Sequence, residues 1–282
     1  MNPRPAPSTD RATVEEFYRR KWEGHDSYWE ARYPRHQRVY AASVYRRRNE
    51  EILASIRGPV GRALDLGCGA GDVSLLLAGR CKTVVALDVA DANVELTQRN
   101  LLESGAQGTH VLRSEAERLP FADEAFDLVV LADVIEHIPD AGRALSEVRR
   151  VLRDGGRLVC VTPLRRTLRV LRVLDRLAGA VARRPRGRRS GEAAPKVFER
   201  FFGKRDMQRA LQEAGFRIER FRRACFYPAP ETGGAFGALM GLVHGRVGDE
   251  RFQAIARTLI RAFGGMEKLR VMNQKQLWVV RR

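Results

Sequence analysis

From residue 60 onward, apolar positions fall into short runs separated by stretches of helical period. Runs rich in Val, Leu and Ala at 62–65, 83–88, 109–112, 126–132 and 157–162 predict five strands. Between them, apolar residues at three- and four-residue spacing predict helices over 72–78, 91–104 and 140–152, the last stopped by Asp154-Gly155-Gly156. This alternation predicts an α/β fold, a doubly wound and mostly parallel sheet with helices on both faces. Ligands of such a sheet lie outside the C-terminal strand ends. The pattern resumes with a helix over 204–214 and strands over 216–222 and 276–280, which brings the strand count to seven.

The flanks divide the chain further. Residues 1–10 are Pro-rich and polar and read as a loose tail. Residues 11–58 read as an N-terminal helical lid, with helices over 12–23 and 39–57 on either side of the aromatic-rich stretch 25–33. Its aromatic residues suit either a cover over a pocket mouth or plain packing on the sheet. The core is then 59–163, followed by an insertion over 164–203 and a C-terminal part over 204–282. That last part holds an insertion over 226–270, with an apolar, glycine-rich run at 233–243 and a helix near 250–263.

Charge changes the picture. Lys and Arg number 51 against 34 Asp and Glu, a formal net charge of +17. Residues 165–189 hold ten arginines and one acid, Asp175, so one segment carries more than half of that excess. Its first part is amphipathic, with Leu164, Leu168, Leu171, Leu174, Ala178 and Val181 in helical spacing. A basic field favours anionic partners such as phospholipid or nucleic acid, although a coding bias toward arginine makes a basic surface without one. No apolar run is long enough to span a bilayer, and the first residues lack the apolar core of a signal peptide. The expected location is the cytoplasm, with a peripheral position at the inner face of the membrane if the basic segment rests on anionic lipid. The four cysteines lack metal or disulfide spacing, so no metal site is implied.

The chemistry centres on Gly67-Cys68-Gly69-Ala70-Gly71, directly after a strand that carries Asp65. Glycines there allow a tight turn and close approach of backbone to a ligand, and the next helix points its free N–H groups at that turn. The third glycine comes too early for the dinucleotide fingerprint, while a nucleotide loop of another kind or a purely structural turn stays open. The segment Leu64-Asp65-Leu66-Gly67-Cys68-Gly69-Ala70-Gly71 resembles the first motif of class I S-adenosylmethionine-dependent methyltransferases. Four further stretches match that family in order: 83–88, 114–121, 126–140 and 151–159. The resemblance is close over roughly 60–163 and loose beyond.

What the resemblance implies is a Rossmann-like sheet with an antiparallel last strand and S-adenosyl-L-methionine as cofactor. Asp65, Gly67, Gly69 and Gly71 would form its loop, and Asp88 with Val89 would meet the ribose. Asp88 suits equally a cap on the next helix. Glu115 and Ala116 would meet the adenine, Glu115 standing where the family usually has Asp, and Ala132 would end the fourth strand beside the cofactor. His137 lies past that strand end, where a base for a hydroxyl nucleophile is needed, or it serves only to cap or pack there. Glu136-His137 also resembles a segment of quinone-biosynthesis O-methyltransferases, with a structural role expected for Glu136.

The expected activity is methyl transfer to a small-molecule acceptor, lipid-linked or membrane-associated, with oxygen preferred as nucleophile. One alternative is methylation of RNA or DNA, for which the charge is a natural footprint. Against it, Ala132-Asp133-Val134-Ile135 lacks the Asn/Asp-Pro-Pro-aromatic loop of base-amino methyltransferases. A second alternative is a cofactor-binding protein without catalysis. No motif specifies the acceptor or the oligomeric state.

Overall fold

A computed structural model of the chain describes residues 11–22, 45–46, 48–164, 198–224 and 275–282, with single helical residues at 246, 251, 254 and 258. The arginine-rich 165–189, the apolar 233–243 and the aromatic 25–33 therefore lie outside the described residues, as does most of the helix expected at 250–263. In chain order, α1 (Arg11–Trp22) and a helical stretch over 48–55 (α2) precede β1 (Val60–Leu66), α3 (Asp72–Ala78), β2 (Cys81–Asp88) and α4 (Asp91–Glu103). Next come β3 (Thr109–Arg113), β4 (Phe126–Ala132), a 3-10 turn (Ile135–His137), α5 (Ala141–Val151) and β5 (Leu152–Pro163). The described chain closes with α6 (Lys204–Glu213), β6 (Arg217–Ala224) and β7 (Lys275–Arg281).

The strands form one seven-stranded sheet of order β3-β2-β1-β4-β5-β7-β6. β7 runs antiparallel to both neighbours and the other pairs are parallel, as the family resemblance implies. Parallel strands here are covered on both faces, which is why the centres of β1, β2 and β4 are apolar almost without alternation. One face packs against α5 and α6 through Leu145, Val148, Met207 and Leu211, around the fully buried Trp278 of β7. The other packs against α2 and α3 through Ile52, Val73 and Leu77. In α5, Ala141, Ala144, Leu145, Val148 and Val151 recur at helical spacing, and Asp140 caps it by accepting from the Arg143 backbone N–H at 2.9 Å.

One boundary differs from expectation. α5 stops at Val151, and the Asp154-Gly155-Gly156 stretch belongs to β5 instead of lying between helix and strand. Leu152 pairs with Phe126 and Arg157 with Leu128, so the register shifts across this stretch. Gly155, at φ 71°, allows the irregularity. The loop before β4 is held from α5: Glu147 accepts from the Leu119 N–H at 2.8 Å, and Arg150 donates to the Leu119 and Phe121 carbonyls at 3.0 and 2.7 Å. That clamp fixes the Leu119-Pro120-Phe121 segment near the start of β4, where Phe121 packs edge-on against Phe126 at 4.9 Å. No helix among the described residues is long and apolar enough to cross a membrane.

Candidate cofactor and acceptor site

The glycine turn after β1 is held in one shape from several directions. Gly67, Gly69 and Gly71 all have left-handed backbones, with φ of 80°, 57° and 85°. Gly67 and Cys68 both donate to the Leu87 carbonyl, at 2.7 and 3.0 Å, which ties the turn to the end of β2. From α4, Thr97 donates to the Gly69 carbonyl at 2.9 Å and Asn100 to the Ala70 carbonyl at 2.8 Å. A Cβ at Gly67 would lie 2.4 Å from Val134 Cγ2, whereas a Cβ at Gly69 would meet nothing within 4 Å. The turn is thus packed against the β4 end at Gly67 and open at Gly69, where no side chain stands in a ligand's way.

Asp65 supports this turn from beneath. Its carboxylate is buried and accepts from Ser74 Oγ of α3 at 2.6 Å. Burial pushes its pKa up to about 7, against the lowering effects of the Ser74 hydroxyl and the Arg48 charge.

Asp88, at the end of β2, stands across the turn. Its Oδ2 accepts from the Gly69 N–H at 3.0 Å, and its Oδ1 accepts from the Ala90 N–H at 3.1 Å and from Asn93 Nδ2 at 3.0 Å. It therefore does cap the next helix, while Oδ2 keeps further acceptor capacity. Val89 is half-buried, and its carbonyl accepts from Arg113 Nε at 3.2 Å. Arg113 also reaches Glu15 of α1 at 2.9 Å, and Glu15 accepts from the Asp91 N–H at 3.0 Å. Of the expected lid, α1 is thereby tied to the turn that follows Asp88. Glu115 has its side chain exposed just past β3, Ala116 packs toward the core, and Ala132 packs on the opposite face of the sheet.

Past the end of β4 lies a group of charges in little water. Asp133 has a left-handed backbone at φ 62°. Its Oδ2 accepts from Arg48 Nη1 at 3.0 Å and from Lys275 Nζ. Burial alone would raise the Asp133 pKa, but the Lys275 and Arg48 charges outweigh it and hold it below the ordinary carboxylate range. Glu136 is buried too, accepts from Thr162 Oγ1 at 2.9 Å, and faces the Asp133 charge. Burial first, then Asp133, push its pKa up to about 8, against Lys275 and the Thr162 hydroxyl.

An acid whose folded pKa is raised stabilises the fold fully below the ordinary carboxylate range, and that stability is lost as pH rises toward the folded value. For Glu136 the window runs from its ordinary 4.5 to about 8. Glu136→Gln keeps the shape and removes the ionisation. Relative to wild type, the variant should gain on the order of 3–5 kcal/mol between pH 5 and pH 9 in urea denaturation. Parallel stability curves for the two proteins would show that Glu136 ionises freely.

His137 closes the 3-10 turn, half-buried. Its Nδ1 lies 3.1 Å from the Phe198 carbonyl, which only accepts, so Nδ1 is the donor in this contact. The Arg200 N–H donates to the Glu136 carbonyl at 2.7 Å, and Leu164 bridges to Phe202. The described residues on either side of 165–197 therefore meet near His137.

Sequence reasoning expected ligands outside the C-terminal strand ends; the glycine turn, Asp65, Asp88 and His137 lie at or just past the C-terminal ends of β1, β2 and β4. It assigned no role to Arg48, Asp133, Thr162 or Lys275. Asp133 carried a signal, a charged residue directly after an apolar strand end. Arg48 and Lys275 carried none, because their meeting depends on the sheet order.

A family model described as a methyltransferase domain matches residues 64–160. A malonyl-acyl-carrier-protein O-methyltransferase of Methylococcus capsulatus is 38% identical over 47% of this chain and 49% of its own. A ubiquinone/menaquinone biosynthesis C-methyltransferase of Geotalea daltonii is 36% identical over 36% of this chain and 45% of its own. The chain spans about half the length of the curated relatives it matches. An S-adenosylmethionine-dependent methyltransferase from Mesorhizobium loti shares the fold at a TM-score of 0.54, with 18% identity over 83% of this chain and 96% of its own. Over residues 64–160 the chain carries a methyltransferase domain of the class I, S-adenosylmethionine-dependent family.

Proposed function

We propose that this protein transfers a methyl group from S-adenosylmethionine to a small-molecule acceptor, with oxygen as the nucleophile and His137 as the base. The observation that carries the reading is the glycine turn, left-handed at three positions, packed at Gly67 and open at Gly69, with Asp88 across from it. These residues fit the cofactor. Asp88 Oδ2 would accept from its ribose, and the backbone at Gly69 lets a ligand approach without a side chain in the way. When bound, the cofactor supplies a methyl group on an electrophilic sulfonium. The chain's own work is to hold the nucleophile in line, to keep water out and to take up a proton at His137 Nε2.

Two observations bear on the acceptor. The name of the Methylococcus relative points to oxygen and that of the Geotalea relative to carbon, so a carbon nucleophile is the second reading. The described residues that flank the arginine-rich 165–189, Leu164 before it and Phe198 and Phe202 after it, meet close to His137 through the Leu164–Phe202 bridge and the Phe198 carbonyl. We read it as the contact with an anionic membrane that presents a lipid-linked acceptor.

The test is labelled-methyl transfer into lipid and polar extracts, with the site of label in the product deciding between oxygen and carbon. His137→Ala should lower the rate about 100-fold, with cofactor affinity unchanged. An undiminished rate would remove His137 from the chemistry. Deleting 165–189 should abolish retention on anionic vesicles and leave retention on neutral ones as it was. Equal retention of wild type on both would refute the membrane contact.

A further inference from the structure

Residues 198–202 lie against the turn that carries His137, and their own backbone holds them there. The Phe198 carbonyl meets His137 Nδ1 at 3.1 Å, the Arg200 N–H donates to the Glu136 carbonyl at 2.7 Å, and the Phe202 carbonyl accepts from Gln276 Nε2 at 3.2 Å. Backbone contacts of this kind set the path of a segment whatever side chains it carries.

That path gives one side chain a fixed platform. Phe202 is buried and bridged to Leu164. Arg200, two residues earlier and exposed, stacks on it, its guanidinium carbon 5.1 Å from the ring centre. Stacking holds a planar cation by its face and leaves its N–H edge open to an anion. Among the described residues no carboxylate forms an ion pair with Arg200. Arg205 and Arg209 of α6 lack one too. What sets Arg200 apart is the platform, together with a backbone N–H bonded to the residue next to His137.

An acceptor seated at His137 thus has a guanidinium edge within one side-chain length. Such an edge takes a carboxylate or a phosphate through two parallel N–H···O bonds. We propose that the acceptor bears an oxyanion, a carboxylate or a phosphate, and that Arg200 binds it beside His137 and so selects anionic acceptors over neutral ones. The proposal rests on the methyl-transfer reading above and adds the class of acceptor. Arg200 would hold that group equally before and during transfer, so its contribution belongs in KM and not in kcat.

The test passes lipid and polar extracts over an anion exchanger at neutral pH and gives each fraction to the full chain with labelled S-adenosylmethionine. Acceptor activity should be retained on the exchanger, and the accurate mass of the labelled product tells carboxylate from phosphate. Arg200→Ala keeps the backbone N–H to Glu136. It should raise KM for the retained fraction about tenfold or more, with kcat within about twofold and cofactor affinity unchanged. Arg200→Lys keeps the charge without the fork and should recover only part of the loss.

Acceptor activity confined to the unretained fraction overturns the proposal, and so does an unchanged KM in Arg200→Ala. A fall in kcat or in the urea midpoint with KM unmoved would make Arg200 a structural residue, and overturns it as well. In each of these outcomes wild type still transfers the label, so the methyl-transfer reading stands. If wild type labels nothing in any fraction, both fall.

Discussion

Gly67→Ala should destabilise the protein by about 3–5 kcal/mol, combining an L side chain forced to a left-handed backbone with overpacking against a β-branched neighbour. The geometry leaves no outlet. Gly67 sits at φ 80°, and a Cβ there would lie 2.4 and 2.5 Å from the two γ-methyls of Val134. Relief by moving Val134 would drag Asp133, whose N–H donates to the Val161 carbonyl at 2.9 Å and whose side chain is held by Arg48 and Lys275. Gly69→Ala is the internal comparison, with φ 57° but open space around its Cβ, so it should cost only the backbone share, about 1 kcal/mol. Urea midpoints for the pair measure the difference. Equal losses would mean that the Val134 contact yields.

Asp88→Ala has the second large effect, on cofactor binding. Its carboxylate closes the turn through the Gly69 N–H and would accept from the ribose, so removing it loses charged hydrogen bonds and the shape of the loop together. An affinity loss of about 100-fold, equivalent to about 3 kcal/mol, is expected for S-adenosylmethionine. Asn93→Ala separates the two contributions. It removes a 3.0 Å bond to Asp88 Oδ1 and leaves the carboxylate in place, so its affinity loss should be about tenfold or less. A larger loss for Asn93→Ala than for Asp88→Ala would assign Asp88 to loop shape alone.

Much of this architecture is legible in the residues. Strands such as Phe126–Ala132 and helices such as Asp72–Ala78 follow from apolar runs and periods, and β7 follows from a last apolar run that ends the chain. The glycine spacing locates the turn, because few residues other than glycine take three left-handed positions in five. The irregular start of β5 was not legible, because Asp154-Gly155-Gly156 reads as a turn whether or not the flanking residues pair.

The site was legible in part. A strand-end carboxylate announces itself, but Asp65 and Asp88 read alike in sequence and are both buried, and only their partners separate a carboxylate spent on Ser74 from one set across the glycine turn. The Arg48–Asp133–Lys275 group joins residues 85 and 142 positions apart, and no local period carries such a pairing. Its members meet because β7 inserts beside β5 and α2 covers the same face of the sheet, a consequence of strand order.

The central claim is that the edge above β1 and β2 binds S-adenosylmethionine. Titration calorimetry of the full wild-type chain with S-adenosylmethionine tests it most directly, with folding verified by a cooperative urea transition in the same buffer. The account predicts saturable binding at one site per chain, competed by S-adenosylhomocysteine. A folded protein that takes up neither ligand, alone or with lipid extract present, would contradict it.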